Sequence, residues 1–294
     1  MTPAHLHPDP GPVGAAVSGA ALLVTVGYLA AARRLRRRGD AWSPWRDVSF
    51  AVGGAGTAWA TPGGLWGGPF TQHVVQHLVV GMAAPVLLVA ARPLTLALRA
   101  LPPGRIRRLL VSVAHSGPVG LLLCPPLTAL LDAGGLWLLY RSELFAVTAR
   151  HPLLHGVVQL HMSIAGLVFT YAVCGLDPVP AGRRWSPVVR GATVLAAGAA
   201  HGVLARTLYT RPPPGTGFAL ADMHQGSRWM YYGGDLVEAG LAVLLGVGWY
   251  TAAERTRARG HARGVRARRS IGPAGAPGGQ DTTHHRTPAA GGRS

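Results

Sequence analysis

Charge is scarce in this chain. Acidic and basic residues together make up 13% of its 294 residues, about half of the roughly 25% usual in a soluble domain. Lysine is absent, so all 28 basic residues are arginine. Cysteine is nearly absent too. Cys124 and Cys174 both lie in apolar stretches and no CxxC occurs, which excludes a disulfide framework or a thiolate zinc site and leaves two small hydrophobes. With only 11 acidic residues the net charge is +17. The arginines, however, sit between hydrophobic runs, as topology signals and contacts to anionic lipid headgroups do. Membrane lipid is therefore the expected partner, and nucleic acid is not.

What the chain has instead is apolar length. Hydrophobic residues make up 49% of it. Runs at approximately 13–32, 47–66, 73–91, 117–139, 152–174, 188–208 and 229–251 predict an all-α, polytopic membrane bundle of about seven transmembrane helices. The first run lacks a basic leading flank, so it is not expected to be a cleaved signal. The second is glycine-rich and weak, and arginine placement argues for keeping it. Residues 33–46, 92–108, 183–190 and the stretch from 255 onward hold 23 arginines, whereas the other connections hold five: Arg141, Arg150, Arg206, Arg211 and Arg228. The two sets alternate only if all seven spans exist, with the N-terminus outside and the C-terminus inside. The expected organisation is an outer segment 1–12, a seven-helix domain 13–251 and a disordered cytoplasmic tail 252–294. The tail would be held to anionic lipid at ~1 kcal/mol per basic residue. The motifs "HSGP" and "CPP" break the fourth span and predict a kink at Pro125-Pro126, with residues 101–116 along the inner surface.

That orientation sorts the histidines. His73 and His77 lead the third span, and His151 and His155 lead the fifth; each pair is four residues apart and shares a helix face. His161 lies about 9 Å below His155 and about 120° around the helix. His201 is in the outer half of the sixth span, His224 in the last outer loop, and His5 and His7 in the outer segment, where they could form a loose metal-capturing arm. Asp132, Asp235 and Glu238 lie at similar depth. A charged group at a helix centre in the membrane costs ~2.5–3.5 kcal/mol on insertion scales, so such a cluster needs a reason. The plain structural account gives each histidine a hydrogen bond on a neighbouring helix, gives Asp235 and Glu238 an ion pair with Arg228 or a packing bond, and leaves Met82 and Met162 in the core.

The chemical readings differ in what they require. "HVVQH" at 73–77 has the spacing of a zinc protease helix, but Val74 stands where the catalytic glutamate would be and Gln76 is no base, so hydrolysis is excluded and no enzyme activity is expected. Imidazole with thioether suits copper, Cu(I) above all, while imidazole alone also suits zinc. A haem would need one histidine on each of two facing helices, such as His77 with His155 or His201. Buried His, Asp and Glu also fit a proton or ion transporter.

Four segments carry a resemblance: "HVVQHLVVGMAAPVLLVAARP" (73–93), "LHGVVQLHMSIAGLVFTYAVCGLDP" (154–178), His201-Gly202, and "ADMHQGSRWMYYGGDLVE" (221–238). Over roughly residues 12–251 the chain resembles the CtaG family of cytochrome c oxidase assembly factors, seven-helix proteins of the bacterial cell membrane. The resemblance implies a multi-pass plasma-membrane protein that works with cytochrome c oxidase subunits and binds or delivers copper from the outer side. It maps the metal residues onto His73, His77, His155 and His161, with His201 and the Asp222/His224 loop as weaker carry-overs. Asp177-Pro178 matches a family turn and is expected to be structural. Gln159 stands where family members can carry an acidic residue. A scaffold role without metal is the alternative.

Overall fold

The computed structural model describes residues 12–63, 65–177 and 185–270, and no strand occurs among them. His5, His7, Pro178, His284 and His285 lie outside the described residues. The chain divides into a bundle, Met1–Trp249, and a C-terminal unit, Tyr250–Ser294. The helices are α1 (Pro12–Arg37), α2 (Pro44–Ala60), α3 (Pro69–Ala90), α4 (Pro93–Ala100), α5 (Arg105–Ala114), α6 (Gly117–Leu122), α7 (Pro125–Arg141), α8 (Leu144–Arg150), α9 (Pro152–Cys174), α10 (Pro187–Thr210), α11 (Leu220–Arg228) and α12 (Gly234–Ser270). A π-helical stretch interrupts α3 at His77–Ala83, and another, Trp229–Gly233, joins α11 to α12. The helix continues through residues 252–270, which composition had left to an unstructured tail.

The polarity of the bundle is that of a membrane protein. Leu23, Val188, Leu195 and Leu236 are each 75% exposed or more, while His77, His201, Asp177 and Asp222 are buried. Among the described residues, five helical stretches are long and apolar enough to cross a bilayer: Gly14–Arg37, Pro69–Ala90, Pro152–Cys174, Pro187–Thr210 and Leu220–Thr251. The other two expected spans fall on α2 and α7, at 17 residues each. At 1.5 Å per residue that is about 26 Å, the short end of what spans hydrocarbon. The break expected at "CPP" is present, with α6 ending at Leu122 and α7 starting at Pro125. The basic loops 33–46 and 92–108 meet at one end of the bundle. There Arg36 bonds Asp47 at 2.6 Å and Arg99 bonds Asp40 at 3.1 Å, with Trp42 against the Arg46 guanidinium. The two loops, separated in the chain by α2 and α3, thus lie at the same end of the bundle.

α3 is the central element, packed on α2, α9 and α11. Its start depends on a residue far along the chain. The cap position is Gly68, which has no side chain to offer. The Asp222 carboxylate takes over, accepting from Phe70 N (2.9 Å), Thr71 N (3.0 Å) and the Thr71 hydroxyl (2.6 Å). A Cβ on Gly68 would collide with that carboxylate. The same device starts α4, where Asp177 accepts from Leu94 N (3.2 Å), Thr95 N (3.0 Å) and the Thr95 hydroxyl (2.5 Å). Asp177 is thus structural, as the resemblance implied.

Two carbonyls at the far end of α3 also take side-chain donors from other helices: Ser49 donates to Leu87 O and Tyr28 to Ala91 O. The Gln76 amide donates to Ala60 O and Thr61 O, closing the end of α2. Backbone groups left unpaired in hydrocarbon cost several kcal/mol each, so these bonds fix where α3 sits.

Removing the remote cap should therefore be costly. Asp222→Ala is expected to lower stability by about 1–3 kcal/mol, read as thermal unfolding in detergent. Thr71→Val should add little on top of it, because both act through one carboxylate; fully additive losses would contradict the shared cap.

Candidate histidine site in the bundle interior

The third-span histidines are on one face of α3, and each meets a different partner. The His73 ring lies edge-on to Tyr140 (5.8 Å between centroids) and Phe145 (4.7 Å), and 6.1 Å from His155 of α9. One turn deeper, His77 opens the π-helical stretch and its ring is 6.0 Å from His201 of α10. His201 Nδ1 is 3.2 Å from Glu238 Oε1. Both nitrogens of His77 and Nε2 of His201 are buried and unpartnered. Leaving a buried polar atom unpaired costs about 1–3 kcal/mol, so three on two facing rings are a standing cost to the fold.

Glycines make room for these side chains. A Cβ at Gly81 would press on the His77 ring, one at Gly234 would overlap His201, and one at Gly198 would overlap the Glu238 carboxylate. Pro85 has no N–H to return to the Gly81 carbonyl, and Gly166 of α9 packs against that oxygen so closely that any Cβ there would strike it. Helix-destabilising glycines thus line the site.

Two cavities flank His77. The smaller is lined by His73, His77, Gly81, Leu136, Gln159 and Met162 among others. The larger shares His77, Gly81 and Leu136 and adds Met82, Asp132, His201 and Glu238.

The structure thus resolves the expected set into two facing pairs, His73 with His155 and His77 with His201. His161 is exposed on a different face of α9, packed beside Gly135 of α7; its offset from His155 around the helix already pointed there. His224 stacks on Tyr209, 4.0 Å between centroids, and His151 is exposed. Among the described residues, no three of His, Cys, Asp and Glu converge as a metal-ligand group. Glu238 bonds His201 rather than Arg228, whose guanidinium lies 6.0 Å from the Tyr209 ring. No local sequence signal marks that pairing, which Gly198 and Gly234 admit only once the helices are packed.

A family profile for cytochrome c oxidase caa3 assembly factors matches residues 26–252. An uncharacterized protein of Mycobacterium bovis is 32% identical over 174 residues, and one of Mycobacterium leprae is 31% identical over the same length. Each alignment takes in 56% of this chain and 26% of the relative, so the chain covers about a quarter of the length of the curated relatives it matches. No solved structure matches.

The glycine cradle makes a direct prediction. Gly234→Ala is expected to displace His201 and destabilise the protein by about 1–3 kcal/mol. Gly240→Ala, six residues on and open to space, should be neutral or stabilising by up to about 1 kcal/mol. Equal effects in paired unfolding measurements would contradict the cradle.

Proposed function

We propose, for a chain that belongs to the cytochrome c oxidase caa3 assembly factor family, that it serves oxidase maturation by holding Cu(I) between His77 and His201 inside the membrane. The observation that carries this reading is the facing pair itself, with three unpartnered ring nitrogens and centroids 6.0 Å apart. One ion bound by two imidazoles spans about the same distance: two bonds of about 2 Å, plus roughly 1 Å from each ring centre to its nitrogen. Two donors are few for zinc, which takes four ligands in structural sites. Cu(I) accepts low coordination, and the soft thioether of Met82 lines the same cavity. Asp132 and Glu238 beside it favour a bound cation.

Glu238 positions the pair. Accepting from His201 Nδ1–H, it fixes the tautomer that leaves the Nε2 lone pair available, as carboxylates do behind metal-bound histidines. Counting α2 and α7 as spans gives seven, and the arginine alternation then puts the ends where α3 and α9 begin on the outer side. From there copper would pass to an oxidase subunit in the bacterial cell membrane. The buried Asp132 and Glu238 favour one other reading, a cation transporter, which would move its ion in proteoliposomes without any oxidase.

The test is to purify the protein anaerobically and assay copper, zinc and haem. Wild type should carry Cu(I), and His77→Ala/His201→Ala should lose about one equivalent and fail to support oxidase maturation in cells. A Soret band without copper would replace this reading with haem binding. Metal-free protein whose variant still matures oxidase, and still co-purifies with it, would make the chain a scaffold.

A further inference from the structure

The histidines form a file rather than a cluster. His155 stands near the start of α9, its ring 6.1 Å from His73. His73 precedes His77 by one turn of α3, an advance of about 6 Å. The His77 ring is in turn 6.0 Å from His201. The two steps between helices thus each match one bis-imidazole span, and the step between them runs along α3. The cavities follow the same order, the smaller touching His73 and His77 and the larger touching His77 and His201. His77 belongs to both, and neither of its nitrogens is held by a protein partner.

We propose that His155 and His73 are a loading pair through which Cu(I) reaches His77 and His201. This rests on the copper reading above and adds the route. The chemistry is two ligand exchanges. His155 releases the ion as His77 takes it, and His73 then releases it as His201 takes it, so each copper–nitrogen bond that breaks is matched by one that forms. The oxidation state does not change, and no proton or electron moves while the imidazoles stay neutral. Tyr140 and Phe145 hold the His73 ring edge-on, which fixes its orientation at the outer stage. Charge sets the direction. No carboxylate lines the smaller cavity, whereas Asp132 and Glu238 line the larger, so a cation gains in electrostatic energy as it passes His77. Met162 and Met82 place one thioether beside each stage.

The experiment is stopped-flow loading of anaerobic full-length protein in nanodiscs from a Cu(I)–chelator complex. It is run on wild type, His73→Ala, His155→Ala and His155→Met, with the equilibrium affinity of each measured by competition. The route predicts at least tenfold slower loading for both alanine variants with the affinity of the inner pair unchanged, which also shows that they are folded. It predicts recovery of the rate in His155→Met, because a thioether can also hold Cu(I). Wild-type loading rates in the alanine variants would overturn the route while leaving the inner site standing. So would a loss of inner-pair affinity in parallel with rate, or a methionine variant as slow as alanine. A wild type that binds no Cu(I) would overturn the copper reading and the route together.

Discussion

A carboxylate supplied from more than 150 residues away holds the start of the central helix. Asp222 caps α3 because Gly68 cannot, and it reaches the helix because Gly68 has no side chain in its path. In hydrocarbon no water takes up the orphan N–H groups of a helix start, so a charged acceptor making three bonds decides where α3 begins. With Ser49 and Tyr28 fixing its last turn, the depth of His73 and His77 follows. α9 and α10 then bring His155 and His201 to them.

The interior does not follow the usual economy of a core. His77 and His201 are buried to within 7% of full enclosure, yet three of their four nitrogens are unpartnered. Glycines that weaken their own helices surround them. Both features cost stability, and a sequence selected only to pack would replace the histidines with apolar residues and the glycines with alanines. That combination, with the π-helical stretch beginning at His77, is of the kind found where function overrides local stability.

Much of this was legible in the sequence, for specific reasons. Apolar run length marks helices whatever their packing, and the glycine-rich run at 47–66 does form a helix, α2, of 17 residues. The i, i+4 spacing of His73 and His77 correctly put both on one face. Which partner each would face was not legible, because it depends on helix rotation and on contacts more than 60 residues apart. The sequence therefore suggested a single histidine group where the structure has two pairs, with His161 turned away and His224 stacked on Tyr209. For Glu238 the sequence left open an ion pair with Arg228 or a bond between packed helices; the structure has the second, with Gly198 giving it access to His201. The caps from Asp177 and Asp222 were hidden for the same reason. The only local hint was that "GPFT" and "RPLT" both start helices with a proline and a threonine but no capping side chain of their own.

The central claim is that His77 and His201 hold an ion rather than each other's helices. Copper K-edge X-ray absorption on Cu(I)-loaded protein tests it most directly. The account predicts a shell of two imidazole nitrogens at about 2 Å that is lost in His77→Ala/His201→Ala. A sulfur-dominated shell, or a nitrogen shell unchanged in that variant, would contradict it.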